Sequence, residues 1–156
     1  MPLLSDRILT RFSESLGAAG LRLAGKWNVP VYRATRGRLM ARVGRAPVLL
    51  LTTTGRKSGR PRTAPVLYLA DDGRYIVIGS NAGNAGAPAW ALNLEAHPVA
   101  EVQVGGRSGR VRARIAQGDE RAELWRRMND QYSGFDHYAG RTTRDIRVFV
   151  LEPRAT

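Results

Sequence analysis

The sequence predicts an α+β, mainly β domain: a small barrel of antiparallel strands with flanking helices and a basic helical arm at its N-terminus. Three observations carry that prediction. From Pro47 onward, short apolar and β-branched runs follow one another between Gly- and Asp-containing turns, so consecutive strands join by hairpins and pair antiparallel. Apolar residues at helical spacing are confined to the front of the chain and to two later stretches. The regular strand and helix alternation of a doubly wound fold is absent.

The elements follow in order. Ser5 is an N-cap for a first amphipathic helix carrying Ile8, Leu9, Phe12 and Leu16, which ends near Gly17 or Gly20. A second helix starts at Pro30, with Val31, Tyr32, Leu39, Met40 and Val43 as its apolar members and Arg33, Arg36, Arg38 and Arg42 around them. PVLLLTTT, TAPVLYLA and RYIVIGS then read as three strands, the last two joined across Asp71-Asp72-Gly73. NAGNAGAP is a loop, and Pro88 opens a short helix, PAWALNLEAH, stopped by Pro98. VAEVQV and GRVRARIA are strands joined across Gly105-Gly106, the second with Val111, Ala113 and Ile115 on one face and Arg110, Arg112 and Arg114 on the other. A capped helix begins at Asp119, with Glu120 and Glu123 in its first turn and Trp125 and Met128 on its inner face. A loop, YSGFDHYAGRTT, and a last strand, IRVFVLEP, close the chain.

With 156 residues the chain is one domain by size, and such a domain buries roughly 70% of the surface its unfolded chain exposes. No apolar run reaches the roughly 20 residues that span a bilayer, and Asp6 and Arg7 interrupt the N-terminus before a secretion signal could form. The chain has no cysteine, hence no disulfide framework and no thiolate metal site, which fits a reducing cytoplasm. Its formal net charge is +12, with lysine only at Lys26 and Lys57. Residues 1–46 hold nine cations against Asp6 and Glu14, so +7 of that charge lies in the first third. This basic arm, taken as residues 1–28, has two readings: peripheral contact with an anionic membrane surface, or packing on the barrel (residues 29–156) or a second subunit.

The stretch TTTGRKSGRPR joins two strands through Gly55 and Gly59 and carries Arg56, Lys57, Arg60 and Arg62 with no acid. It is not a phosphate-binding P-loop, because Arg56 rather than Gly precedes Lys57 and Leu51 stands where the first glycine would be. A turn with exposed backbone N–H groups at Gly55 and Gly59 and convergent cations still suits an oxyanion; the alternative is a solvated basic hairpin. His97 and His137 lie in unrelated segments without ligand spacing, so no metal site is expected, and no serine has nucleophile-elbow context. Tyr132, Phe135 and Tyr138 recur every three residues, as core or as a lid over a flat ligand. Nothing points to sequence-specific nucleic-acid recognition.

Taken together and in order, TTTGRKSGRPRTAPVLYL, GSNAG, PAWALNLEAHPVAEVQV, the 132–138 aromatic loop and a terminal strand ending in LEP resemble the deazaflavin-dependent nitroreductase family. Those are small split β-barrel oxidoreductases that use coenzyme F420, and the resemblance covers roughly residues 28–153. It implies that Arg56, Lys57, Ser58 and Arg62 bind the phosphate and acidic tail of the deazaflavin. Thr63, Ala64, Pro65, Val66 and Leu67 would pass under the ring. Ile78, Gly79, Ser80 and Asn81, with Ala89, Trp90, Ala91, Leu92 and Asn93, would complete the cofactor wall. Phe135 would pack over the ring, while Tyr132, Tyr138 and Ser80 would serve the hydride acceptor, because hydroxyls donate a hydrogen bond and pass a proton while neutral.

The implied activity is hydride transfer from reduced F420 to a small electrophilic acceptor such as a quinone, enone or nitroaromatic. The alternative is a binding protein on the same barrel without turnover. Three positions depart from the family pattern: Ala82 stands for a usual glycine, Ala91, where an aromatic is common, is expected to widen the pocket, and Phe135 lacks a hydroxyl.

Overall fold

A computed structural model describes residues 29–38, 42–43, 46–80, 86–132, 134–140, 143 and 145–154, with the backbone alone at 42, 43, 134, 137 and 138. The helix expected from Ser5, the boundary at residue 28, and Asn81 and Ala82 lie outside the described residues. The strands are β1 (Arg42–Val43), β2 (Ala46–Thr54), β3 (Pro61–Leu67), β4 (Leu69–Asp71), β5 (Arg74–Ile78), β6 (Val99–Val104), β7 (Arg107–Ile115) and β8 (Val148–Pro153). The helices are α1 (29–34), α2 (Ala89–Ala96), α3 (Gly118–Gln131) and α4 (Gly134–Ala139).

All pairings are antiparallel, in the order β1-β2-β6-β7-β8-β5-β4 with β3 also paired to β2. The expected strand TAPVLYLA is broken at Tyr68: residues before it pair with β2 and residues after it with β5. The two ends of the sheet are thus one residue apart in the chain, and the sheet curls into the split barrel.

Side-chain alternation sorts the core into an interior and two outer layers. Leu49 and Leu51 of β2, Val66 of β3, Val77 of β5, Ala100 and Val102 of β6, Val111 and Ala113 of β7 and Phe149 and Leu151 of β8 fill the interior. Helix α2 closes one end of it with Trp90, Ala91 and Leu94, Trp90 meeting Phe149 edge-on at 5.8 Å. On the outer face, α3 and α4 cover Ile76, Ile78, Val148 and Val150 with Leu124, Met128, Tyr132 and Phe135. Helix α1 covers Val48 and Leu50 with Tyr32.

Three expectations are corrected. The helix from Pro30 does not continue to Val43: it ends by residue 34, Arg36 and Gly37 have φ of 51° and 77°, and Val43 lies in β1. A β-carbon at Gly37 would sit 2.8 Å from Gly105 Cα, so the chain leaves the helix where only glycine passes. Helix α3 starts at Gly118 with Gln117 as an N-cap that makes no side-chain cap bond, so Asp119 lies in its first turn. Within the expected loop after Tyr132, residues 134–139 form α4.

Candidate functional site

The basic turn between β2 and β3 is an internally bonded loop. Gly55 N–H donates to Arg60 O at 2.8 Å, and Gly59 N–H to Gly55 O at 2.8 Å, which closes one helical turn that goes no further. Arg60 N–H donates to Ser58 Oγ at 3.2 Å, and Arg56 N–H to Asn93 Oδ1 at 3.0 Å. Gly55 is buried, and a β-carbon there would lie 2.6 Å from Ser58 Oγ. The amides of Gly55 and Gly59 are therefore committed inside the turn, contrary to expectation. The exposed pair without a partner among the described residues is Lys57 and Ser58, whose N–H groups open the helical turn, where an anion is favoured.

Asn93 explains how a short helix holds that turn in place. Its side chain is 3% exposed; Nδ2 donates to Thr53 Oγ1 at 3.0 Å while Oδ1 accepts from Arg56. With both ends of the amide committed to protein, Asn93 fixes the turn against α2.

Part of the positive charge is paired with carboxylates. Asp71 is bridged by Arg74 and by Arg127 at 2.7 Å, and Arg114 reaches Glu120 and, at 2.6 Å, Glu152. Arg126 pairs with Glu123 and Asp130, and Arg147 with Glu95 and Asp145. Arg127 above all, then Arg74, holds the Asp71 carboxyl below its ordinary value, and Arg114 does the same to Glu120. Arg33, Arg56, Lys57, Arg60 and Arg62, in contrast, are exposed and make no ion pair with any described carboxylate. Arg36, Arg38, Arg107, Arg110, Arg112 and Arg154 likewise have no carboxylate partner among the described residues; the turn is distinguished by four cations packed into positions 56–62 with no acid among them.

From that edge runs β3. Ala64, Val66 and Tyr68 belong to the interior cluster, so Thr63, Pro65 and Leu67 face outward. Leu67, half-buried, packs against both the α1 layer and the layer holding Tyr132 and Phe135, so the outward face of β3 runs between α1 and the aromatic group. Tyr132 and Phe135 are 4% and 3% exposed and meet edge-on at 5.4 Å, with Trp125 on the other side of Phe135 at 6.4 Å. They are core in this arrangement; Tyr138 lies on α4 with its side chain outside the description.

The remaining wall residues divide by burial. Ile78, Gly79 and Ser80 are buried, Ala89 is exposed, and Trp90 and Leu92 are half-buried. Ala91 does not widen a pocket: it is 2% exposed, and its methyl lies 3.2 Å from where a Gly79 β-carbon would be, so the close approach of α2 to β5 requires small residues at both positions. Two clefts open on the described surface. One, of about 470 Å³, adjoins the turn through Thr52–Thr54, Gly59 and Pro61 and has both Glu101 and Arg110 in its lining. The other, of about 240 Å³, lies between Trp125, Asp136 and Asp145. Each thus carries an arginine as well as acid, Arg110 in the first and Arg121 in the second. Sequence reasoning gave no site role to Arg33, which it placed on a helix side, or to Thr53 within TTTGRKSGRPR; only the fold brings Arg33 to Thr63 and Asn93 to Thr53.

Comparison with known proteins supplies the rest. The family described as F420H(2)-dependent quinone reductase matches residues 25–153. The chain is 38% identical over 128 residues to an F420H(2)-dependent quinone reductase of Mycobacterium tuberculosis, across 80% of this chain and 86% of that protein. Among solved structures, an F420-H2 dependent reductase is 34% identical with a TM-score of 0.63, across 68% of this chain and 94% of the other. A structure described as a domain-swapped dimer is 30% identical with a TM-score of 0.64, across 80% and 98%.

Proposed function

We propose that this chain, which belongs to the F420H(2)-dependent quinone reductase family, transfers a hydride from reduced coenzyme F420 to a quinone, and accepts enones or nitroaromatics as further electrophiles. One observation carries the reading: four cationic side chains without a carboxylate partner among the described residues, Arg56, Lys57, Arg60 and Arg62, and the amides of Lys57 and Ser58, without a described acceptor, stand at the head of a strand whose outward face is half-open and largely apolar. The donor set fits a cofactor with a flat ring and a polyanionic tail, since guanidinium and ammonium groups remain charged and hold several oxyanions at once.

Bound there, the reduced deazaflavin supplies the hydride. Arg56, Lys57, Ser58 and Arg62 hold the phosphate and acidic tail, Ser58 keeping its O–H free to donate while its oxygen accepts from Arg60. Thr63, Ala64, Pro65, Val66 and Leu67 orient the ring, with Ile78, Gly79, Ser80, Asn81 and Ala89–Leu92 as its wall and Asn93 fixing the turn. Hydroxyls of Tyr138 and Ser80 donate to the acceptor oxygen as negative charge arrives, and one proton completes the hydroquinone. Tyr132, core in this arrangement with Phe135 packed against it, joins them on turning its hydroxyl toward the acceptor.

The test is F420 binding followed by protein tryptophan emission, with oxidation of reduced F420 against a quinone panel. Lys57→Ala combined with Arg62→Ala removes charge-assisted contacts worth about 1.5 to 3 kcal/mol each. Unchanged affinity in that variant refutes the placement of the tail, and binding without turnover on any quinone or enone favours a carrier. The same reading extends to a dimer and to contact of residues 1–28 with anionic membrane. Light scattering and vesicle co-sedimentation of the chain with and without residues 1–28 test these two points.

A further inference from the structure

We infer that Arg33 of α1 is a fifth cation of the cofactor's anion site, so that α1 is a wall of that site as well as a cover for the core. The inference rests on the proposed placement of the tail at the turn and deepens it. Helix α1 is fixed by its buried neighbour Tyr32, whose hydroxyl donates to Val48 O at 3.0 Å and accepts from Gly105 N–H at 2.9 Å. That anchor directs Arg33 across the outer face of β3, where Nη2 donates to Thr63 Oγ1 at 3.1 Å. Thr63 Oγ1 in turn lies 2.8 Å from Thr52 Oγ1, its register partner, so a hydroxyl pair forms a ledge beside the turn.

A guanidinium has five N–H donors, and the described contacts of Arg33 use one of them, on a neutral hydroxyl. Arg33 is exposed and has no carboxylate partner among the described residues; Arg36, Arg38, Arg107, Arg110, Arg112 and Arg154 share that, and what sets Arg33 apart is its bond to Thr63 on the outer face of β3. Thr63 is the first outward-facing residue of β3 beyond Pro61, so Arg33 stands on the face proposed to run under the ring, close to where the strand leaves the turn proposed to hold the tail. The ligand suited to that point is the phosphate joining the two, which a planar fork grips in bidentate fashion better than an ammonium does. Holding it would also restrain α1.

The experiment measures the F420 dissociation constant by tryptophan emission across a salt series, and hydrogen exchange of residues 29–37 with and without F420. Arg33→Ala is expected to weaken binding about 10-fold or more and to make its salt dependence shallower. Arg33→Lys should be intermediate, and Arg126→Ala, an exposed cation on α3 paired with Glu123 and Asp130, should bind as wild type. F420 should raise protection over 29–37 in the wild type and not in Arg33→Ala. If Arg33→Ala binds as wild type while Lys57→Ala/Arg62→Ala is weakened, the inference falls and the proposed function stands. If neither is weakened, the reading of the turn falls and the inference with it.

Discussion

Replacing Asn93 by alanine tests whether a buried amide holds the basic turn. Thr53, 2% exposed, loses the donor to its hydroxyl oxygen and keeps only a long 3.5 Å bond to Arg62 O. An unsatisfied buried acceptor costs about 1 to 3 kcal/mol. Arg56 N–H loses its acceptor too, but at an exposed residue water replaces it, so about 0.5 to 1 kcal/mol is added. The sum, about 1.5 to 4 kcal/mol, corresponds to a fall in melting temperature of roughly 3 to 16 °C for a chain of this size. The assay is urea unfolding followed by circular dichroism and tryptophan emission, on Asn93→Ala, Thr53→Val and the double variant. Removing both partners also removes the stranded oxygen, so the double variant should be more stable than the sum of the singles predicts, by about 1 to 2 kcal/mol. An Asn93→Ala cost below about 0.5 kcal/mol, or strict additivity, refutes the reasoning.

Gly55→Ala forces a β-carbon to within 2.6 Å of Ser58 Oγ and 3.2 Å of Arg60 O, and should cost about 1 to 3 kcal/mol; adding Ser58→Ala should recover part of the loss, and no recovery in urea melts rejects the clash. Asp136 latches α4 to α3, accepting from Trp125 Nε1 at 2.7 Å and Asn129 Nδ2 at 2.8 Å. Asp136→Ala should therefore lower hydrogen-exchange protection over residues 134–139 while Val148–Pro153 keep theirs; equal loss in both means the latch is not local. Asp71 is held below its ordinary value by Arg127 and Arg74, so its stabilisation is present at neutral pH and is lost as pH falls below about 4 through the folded value. Wild type should melt above Asp71→Asn at pH 7, by about 1 kcal/mol, and the two should converge in acid; a constant gap between the two curves contradicts this.

The basic turn was legible locally, because Gly55, Gly59 and their cations lie within a few residues of one another. Strand β7 was legible as well, since valine, alanine and isoleucine alternate with arginine on a sheet with one wet face. β2 was legible as a strand but not in its faces: Val48 to Leu51 are all apolar because the interior takes two of them and α1 covers the other two. The helix past Pro30 was over-extended because apolar spacing persists in the sequence after Arg36 and Gly37 have already turned the chain.

What residue order settled was therefore everything that depends on near neighbours: hairpins, helix-opening prolines, a run of cations, and the motif series that resembles a deazaflavin-dependent reductase. Tertiary structure alone decided the rest, because it depends on pairs distant in sequence. Asn93 meets Arg56 across 37 positions and Arg33 meets Thr63 across 30. Asp71 meets Arg127 across 56 positions and Arg114 meets Glu152 across 38, while no described carboxylate reaches the cations of the turn. Composition counts charges, but only the folded chain fixes which of them find a partner.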